Sequence, residues 1–296
     1  MDVNYSGWSR RDTLMLGGVA AAVTMTKGTA SAKAAVRRPV AKLFMTDVGR
    51  GRNVLLIHGW VCDSNDWSWQ LPTFEGKYRT VAVDLRGHGR SEVKPSGSYM
   101  PTDYVADIEA LMVEKARGEK FVVMGHSMGG QIAARVAAKR PDLVAGVVSV
   151  DGALGFDGPA VDLFAKTNHN LMAENPAAAA EALFKLAYAP TTDPALERWH
   201  GRRVEGMPPD VVRESFGPLF FGPGQVGVGA ASAAFCKSLT VPVYHLCRDP
   251  AQADRMRPWF THPKSQVDLW PHSGHWIMQD RAEAMTLAAS DWIDAL

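Results

Sequence analysis

Ser127 lies between two glycines in Gly125-His126-Ser127-Met128-Gly129, after the apolar run Val122-Val123-Met124 and before the small-residue segment Gln131-Ile132-Ala133-Ala134. A serine hydroxyl is a weak nucleophile unless the backbone holds it out on a tight turn and a neighbouring base takes its proton. Glycines two residues before and two after the serine leave room for such a turn and for close packing of strand on helix. The N–H of Met128 then falls at a helix N-terminus, where negative charge on a reacting oxygen is stabilised. Those residue types in that order point to nucleophilic chemistry at Ser127.

The elements that would hold this serine are legible as apolar runs. Asn53-Val54-Leu55-Leu56-Ile57 ends in His58-Gly59, and Thr80-Val81-Ala82-Val83 ends in Asp84. Phe121–Met124 leads into the serine turn, and Leu143 to Asp151, Val241 to Cys247 and Gln266 to Trp270 follow, with Lys42 to Val48 as a first strand. Continuous apolar runs read as strands buried on both faces, the habit of parallel sheets. Strands alternating with periodic segments such as Tyr104 to Arg117 predict an α/β fold with right-handed crossovers. Between Ala153 and Lys237 no buried strand appears, too long a stretch for a plain loop. Helical patterns at Pro159–Lys166, Pro176–Ala189 and Pro194–Val204, then a Gly/Pro-rich tract from Gly217 to Gly229, predict an inserted helical cap with a return loop. The expected organisation is a core formed by residues 33–152 and 238–296, with a cap at 153–237.

Composition excludes several classes of function. Hydrophobic residues make up 46% of the 296, and 32 basic side chains face 31 acidic ones for a net charge of +1. That balance, dispersed along the chain, leaves no nucleic-acid surface. After the N-terminal region no stretch approaches the roughly 18–20 apolar residues that span a bilayer, so no stable membrane insertion is expected. Three cysteines, Cys62, Cys236 and Cys247, do not make a disulfide framework; a Cys236–Cys247 bridge and buried thiols both remain open. No His/Cys cluster has zinc-ligand spacing, and neither a metal nor a cofactor is expected.

The first 32 residues read differently. Arg10-Arg11 precedes the weakly hydrophobic run Leu14 to Val23, and Ala30-Ser31-Ala32 offers the small residues a signal peptidase accepts. This segment resembles a twin-arginine (Tat) export signal, with Thr13 where that motif more often has an aromatic residue. It implies the export machinery as a partner of the precursor and a periplasmic or secreted mature protein.

Four motifs in order, His58-Gly59-Trp60, Asp84-Leu85-Arg86-Gly87-His88-Gly89-Arg90-Ser91, Gly125 to Gly130 and Gly274-His275-Trp276, make residues 40–296 resemble the α/β-hydrolases. The resemblance implies a mostly parallel eight-stranded sheet flanked by helices, with the cap inserted after strand six. It makes Ser127 the nucleophile and His275 the general base, in the family's Ser…acid…His order. It implies an oxyanion hole formed by the Trp60 and Met128 N–H groups. The acid departs from the family pattern. The usual Gly-x-x-Asp after strand seven reads Cys247-Arg248-Asp249-Pro250, so Asp249 falls one residue short, while Asp151 ends strand six, 24 residues after Ser127. Some members, the haloalkane dehalogenases among them, take the acid from that strand end, so Asp151 and Asp249 both stand as candidates, with Asp254 behind them.

A serine at this turn, rather than the aspartate of epoxide hydrolases and dehalogenases, implies an acyl-enzyme. The expected activity is hydrolysis of a carboxylic ester or lactone of a small apolar or aromatic substrate, with Trp67, Phe156, Tyr188 and Trp276 as pocket residues. The alternatives are C–C bond hydrolysis or haloperoxidase-like perhydrolysis on the same triad, or a slow-turnover ligand-binding protein of receptor type.

Overall fold

The computed structural model describes residues 39–296, which form one unit. The export-signal reading of residues 1–32 lies outside the described residues. Among these, seven strands make one sheet: β1 (Met45–Val48), β2 (Asn53–Ile57), β3 (Arg79–Val83), β4 (Phe121–His126), β5 (Val144–Val150), β6 (Val243–Cys247) and β7 (Gln266–Leu269). Their order is β1-β3-β2-β4-β5-β6-β7, and every pairing is parallel except β1 with β3. All five residues of β2, of β3 and of β6 are buried, as strands covered by helices on both faces should be.

Among the described residues the sheet has seven strands, one fewer than the eight expected. The backbone just before β1 spends its N–H groups elsewhere. Ala41 N–H donates to Asp107 Oδ1, Lys42 N–H to Glu92 Oε2 and Phe44 N–H to Ser91 Oγ, each at 2.7–2.8 Å. Those donors are satisfied by side chains and take no part in a ladder, while the carbonyls of Lys42 and Phe44 accept from the N–H groups of Glu92 and Asp84.

Helices α1 (Leu71–Lys77), α2 (Pro101–Lys115) and α3 (Met128–Lys139) alternate with the first strands. Between β5 and β6 the chain is helical: α4 (Pro159–Asn170), α5 (Pro176–Lys185), α6 (Pro194–Glu205), α7 (Pro209–Glu214), α8 (Gly217–Phe220) and α9 (Gly229–Lys237). The first four of these start with proline, whose missing N–H costs nothing at a position that has no intrahelical acceptor. The Gly/Pro tract is therefore only partly a return loop, since α8 opens it. The two ends of this segment meet, with Phe156 N–H donating to Gly227 O and Gly229 N–H to Phe156 O, both at 3.0 Å. Helices α10 (Pro250–Met256), α11 (Ile277–Asp280) and α12 (Ala282–Asp294) complete the chain. No helix among the described residues is long and apolar enough to cross a membrane.

Register positions the site. Ile57 pairs with Gly125, His126 with Val150 and Val150 with Leu246, so the carboxyl ends of β2, β4, β5 and β6 share one edge of the sheet. The chain leaves β2 for β3 on one side and returns through β4 on the other, and such a reversal opens a crevice at the strand ends.

Candidate active site

Ser127 follows β4 with φ +52° and ψ −116°, a region a non-glycine residue adopts only under constraint. The constraint is packing. A Cβ on Gly125 would lie 2.2 Å from the Gly129 carbonyl, and one on Gly129 would lie 2.4 Å from Ile57 O. Only glycine allows β2, β4 and the start of α3 to approach so closely. The turn after β2 presses on the same point, since a Cβ on Gly59 would fall 3.2 Å from Ser127 Cβ. Trp60 thus belongs to a turn touching the serine, and Met128 is the first residue of α3, whose leading N–H groups have no intrahelical acceptor.

Asp151 follows β5, one strand over, and is also strained, at φ +42°. Its N–H donates to Leu246 O at 2.7 Å and its side chain is 4% exposed. His275 Nδ1–H donates to Asp151 Oδ2 at 2.5 Å, and Arg248 Nε–H donates to the same oxygen at 3.1 Å. Burial pushes the Asp151 carboxyl up, but the His275 hydrogen bond and the electrostatic pull of the neighbouring His275 and Arg248 side chains outweigh it and hold the group well below the carboxylate range. An ionised acceptor on Nδ1 fixes the tautomer that leaves Nε2 free to accept a proton.

The loop carrying His275 is held at three points. Gly274 N–H donates to Asp280 Oδ2 at 2.6 Å, His275 N–H donates to Ala187 O at 2.8 Å, and the His275 carbonyl accepts from His126 Nε2–H at 3.0 Å. Burial, then the neighbouring His275 ring, push His126 down to about 3, so it is a neutral donor at ordinary pH. Ser127 and His275 line the same cavity, without a hydrogen bond between their side chains among those of the described residues. Such contacts commonly tighten only when substrate is bound.

Of the two candidate acids, both of which line the cavity with His275, the structure pairs Asp151 with the histidine and engages Asp249 elsewhere. Asp249 Oδ1 accepts from Gln252 N–H at 2.6 Å as the N-cap of α10, with Pro250 at the first helical position. Asp254 pairs with Arg257 on the surface.

The cavity has a volume of about 750 Å³. Phe156 and Trp276 line it, together with Phe164, Phe184, Phe216 and Phe220. Two expected pocket residues do not. Trp67 ends a 3-10 turn (Ser64–Trp67) that buries its indole completely in the core. Tyr188 stacks on Trp276 and His200, with ring centroids 5.2 and 5.9 Å away, and so backs the wall instead of forming it. Sequence reasoning missed Arg248, whose only signal was its place beside the aspartate under consideration.

Cys62, Asp66 and His126 bring potential ligand atoms within 4.8 Å of one another. The set does not fit a cation, because the Arg203 guanidinium already contacts both Cys62 Sγ and Asp66. Burial also pushes the Cys62 thiol well up, leaving it protonated. All three cysteines are free and buried.

Residues 52–222 match the family model described as alpha/beta hydrolase fold. The chain is 38% identical over 102 residues to a serine hydrolase-like protein of Danio rerio, a match covering 34% of this chain and 31% of that one. It is 28% identical over 278 residues to the 2-(acetamidomethylene)succinate hydrolase of Mesorhizobium japonicum, covering 86% of this chain and 92% of that protein. An esterase from Thermogutta terrifontis superposes with a TM-score of 0.73 at 23% identity, over 86% of this chain and 94% of that one.

Proposed function

The chain belongs to the alpha/beta hydrolase fold family, and we propose that it is a serine esterase or lactonase acting on a small apolar or aromatic substrate. The observation that carries this reading is the His275–Asp151 pair at 2.5 Å, in a cavity that also presents Ser127 on its strained turn. In the proposed cycle His275 Nε2 takes the Ser127 proton as Oγ attacks the substrate carbonyl carbon. The carbonyl oxygen becomes an oxyanion held by the Trp60 and Met128 N–H groups, a contribution worth about 10²–10³ in turnover for one such donor. Collapse breaks the ester C–O bond, and His275 returns the proton to the departing alkoxide. Water then repeats the sequence on the acyl-enzyme, releasing the acid and restoring Ser127.

A volume of about 750 Å³ walled by phenylalanines and Trp276 suits an apolar acyl or alkyl group of modest size. The relative covering 86% of the chain acts, by its name, on an acetamido-substituted succinate, which favours cleavage of a bond other than an ester as the second reading. Initial rates on a panel of p-nitrophenyl esters, lactones and secondary amides of graded acyl size separate the two. Ester or lactone turnover exceeding amide turnover by orders of magnitude supports the first reading, and the reverse order overturns it.

The export reading of Arg10-Arg11 belongs to the same proposal. Replacing both arginines by lysine should retain the precursor in the cytoplasm. Normal processing of that variant would count against twin-arginine export.

A further inference from the structure

The turn that offers the Trp60 N–H is not self-supporting. Cys62 N–H closes it by donating to Gly59 O at 3.3 Å, with Trp60 and Val61 as the two central residues. Val61 takes φ +48°, in the left-handed region that β-branched residues rarely enter, and is completely buried. Strain of this kind persists only where surrounding contacts impose it.

Those contacts come from the inserted helices. Arg203, on the last turn of α6, donates from Nε to Val61 O at 3.2 Å and from Nη2 to Cys62 Sγ at 3.1 Å. Its Nη1 donates to Asp66 Oδ1 at 2.5 Å, and Asp66 is completely buried. The peptide unit joining Val61 to Cys62 is thus gripped on both sides, its N–H by Gly59 and its C=O by Arg203. Trp199, one turn earlier on α6, lies against the guanidinium at 5.0 Å and limits its movement. The charges also support each other. Burial opposes ionisation of Asp66, but Arg203 holds its carboxyl down at about 2, and Asp66 holds the guanidinium protonated.

We infer that Arg203 is a positioning residue for the oxyanion hole: from the inserted helical segment it clamps the Val61–Cys62 peptide, and so aims the Trp60 N–H at the reacting oxygen. Docking of α6 and assembly of the hole are then one event, and the hole is complete only while α6 is seated. This rests on the proposed acyl transfer at Ser127.

The test compares Arg203→Lys, which keeps the charge but loses the planar fork, with Arg203→Met/Asp66→Leu, which removes both buried charges together and so avoids stranding one. Both are assayed at a temperature where circular dichroism shows them folded. The readouts are kcat and KM for p-nitrophenyl butyrate and the inhibition constant of an alkyl boronic acid, a tetrahedral mimic of the transition state. The expected result is a fall of about 10–100-fold in kcat, KM within about threefold, and a loss of boronate affinity parallel to kcat. Arg203→Lys should fall less than the double variant. The inference is overturned if kcat is retained in both folded variants, or if kcat falls while boronate affinity does not. Failure of the wild-type protein to hydrolyse any ester would instead refute the acyl-transfer reading itself, so the two failures are distinguishable.

Discussion

Replacing Asp151 by asparagine removes one charge and little volume from a side chain that is 4% exposed. The hydrogen bond it disturbs is the 2.5 Å contact from His275 Nδ1–H. An amide can offer its NH2 to Nδ1, which favours the tautomer bearing the proton on Nε2, where it cannot accept from Ser127. The imidazolium formed during acylation also loses its counter-charge, while the Arg248 guanidinium that shared the same carboxylate oxygen keeps its positive charge. Loss of the carboxylate in the equivalent serine-protease arrangement costs about 10⁴ in kcat, or about 5.4 kcal/mol at 1.36 kcal/mol per decade. The assay is stopped-flow acylation with a p-nitrophenyl ester, alongside Asp249→Ala. The latter should keep kcat and lose only about 1 kcal/mol of stability through its N-cap on α10. Retention of more than about a tenth of wild-type kcat by Asp151→Asn, with collapse in Asp249→Ala, would refute the reasoning.

Alanine at Ser127 or at His275 should each abolish burst formation of p-nitrophenol while leaving the melting temperature within a few degrees; a persisting burst in either contradicts its assigned role. Alanine at Gly129 would place a Cβ 2.4 Å from Ile57 O, backbone against backbone, so a soluble variant with wild-type Tm would show that the close approach is not required. Acidification should destabilise the fold in a definite window. Burial pushes His88 and His126 down to about 3, and His200 and His245 to about 4, from an ordinary 6.5. Groups with depressed folded-state values contribute fully above pH 6.5 and lose that contribution as pH falls toward those values. At pH 5 each costs about 2 kcal/mol. Thermal melts should therefore drop steeply from pH 7 to pH 5, and a flat Tm across that range would contradict the buried neutral state of these rings.

The strands were legible because β2, β3 and β4 each carry an unbroken apolar run, at residues 54–57, 81–83 and 121–124, that suits burial on both faces. Ser127 was legible because its two glycines answer a steric demand that the structure makes explicit at 2.2 and 2.4 Å. The acid was not, since a strand end and a loop both offered an aspartate. The choice depends on the loop after β7 folding back over β5, a contact across 124 residues. One signal could have excluded Asp249: an aspartate followed by proline, with Gln252 three residues on, reads as a helix N-cap. Trp67 misled because an aromatic residue near the oxyanion turn suits a pocket and a core equally well. Arg203 carried no local signal at all, for its role exists only once α6 is seated on the turn after β2.

The central claim is that Ser127 is a nucleophile activated by His275 and Asp151, and covalent titration tests it most directly. Incubating the protein with an alkyl fluorophosphonate and mapping the adduct by peptide mass spectrometry should show one equivalent bound on Ser127, with ester turnover lost in proportion. Stoichiometric labelling at another residue, or full ester turnover by a chain whose Ser127 is blocked, would contradict it.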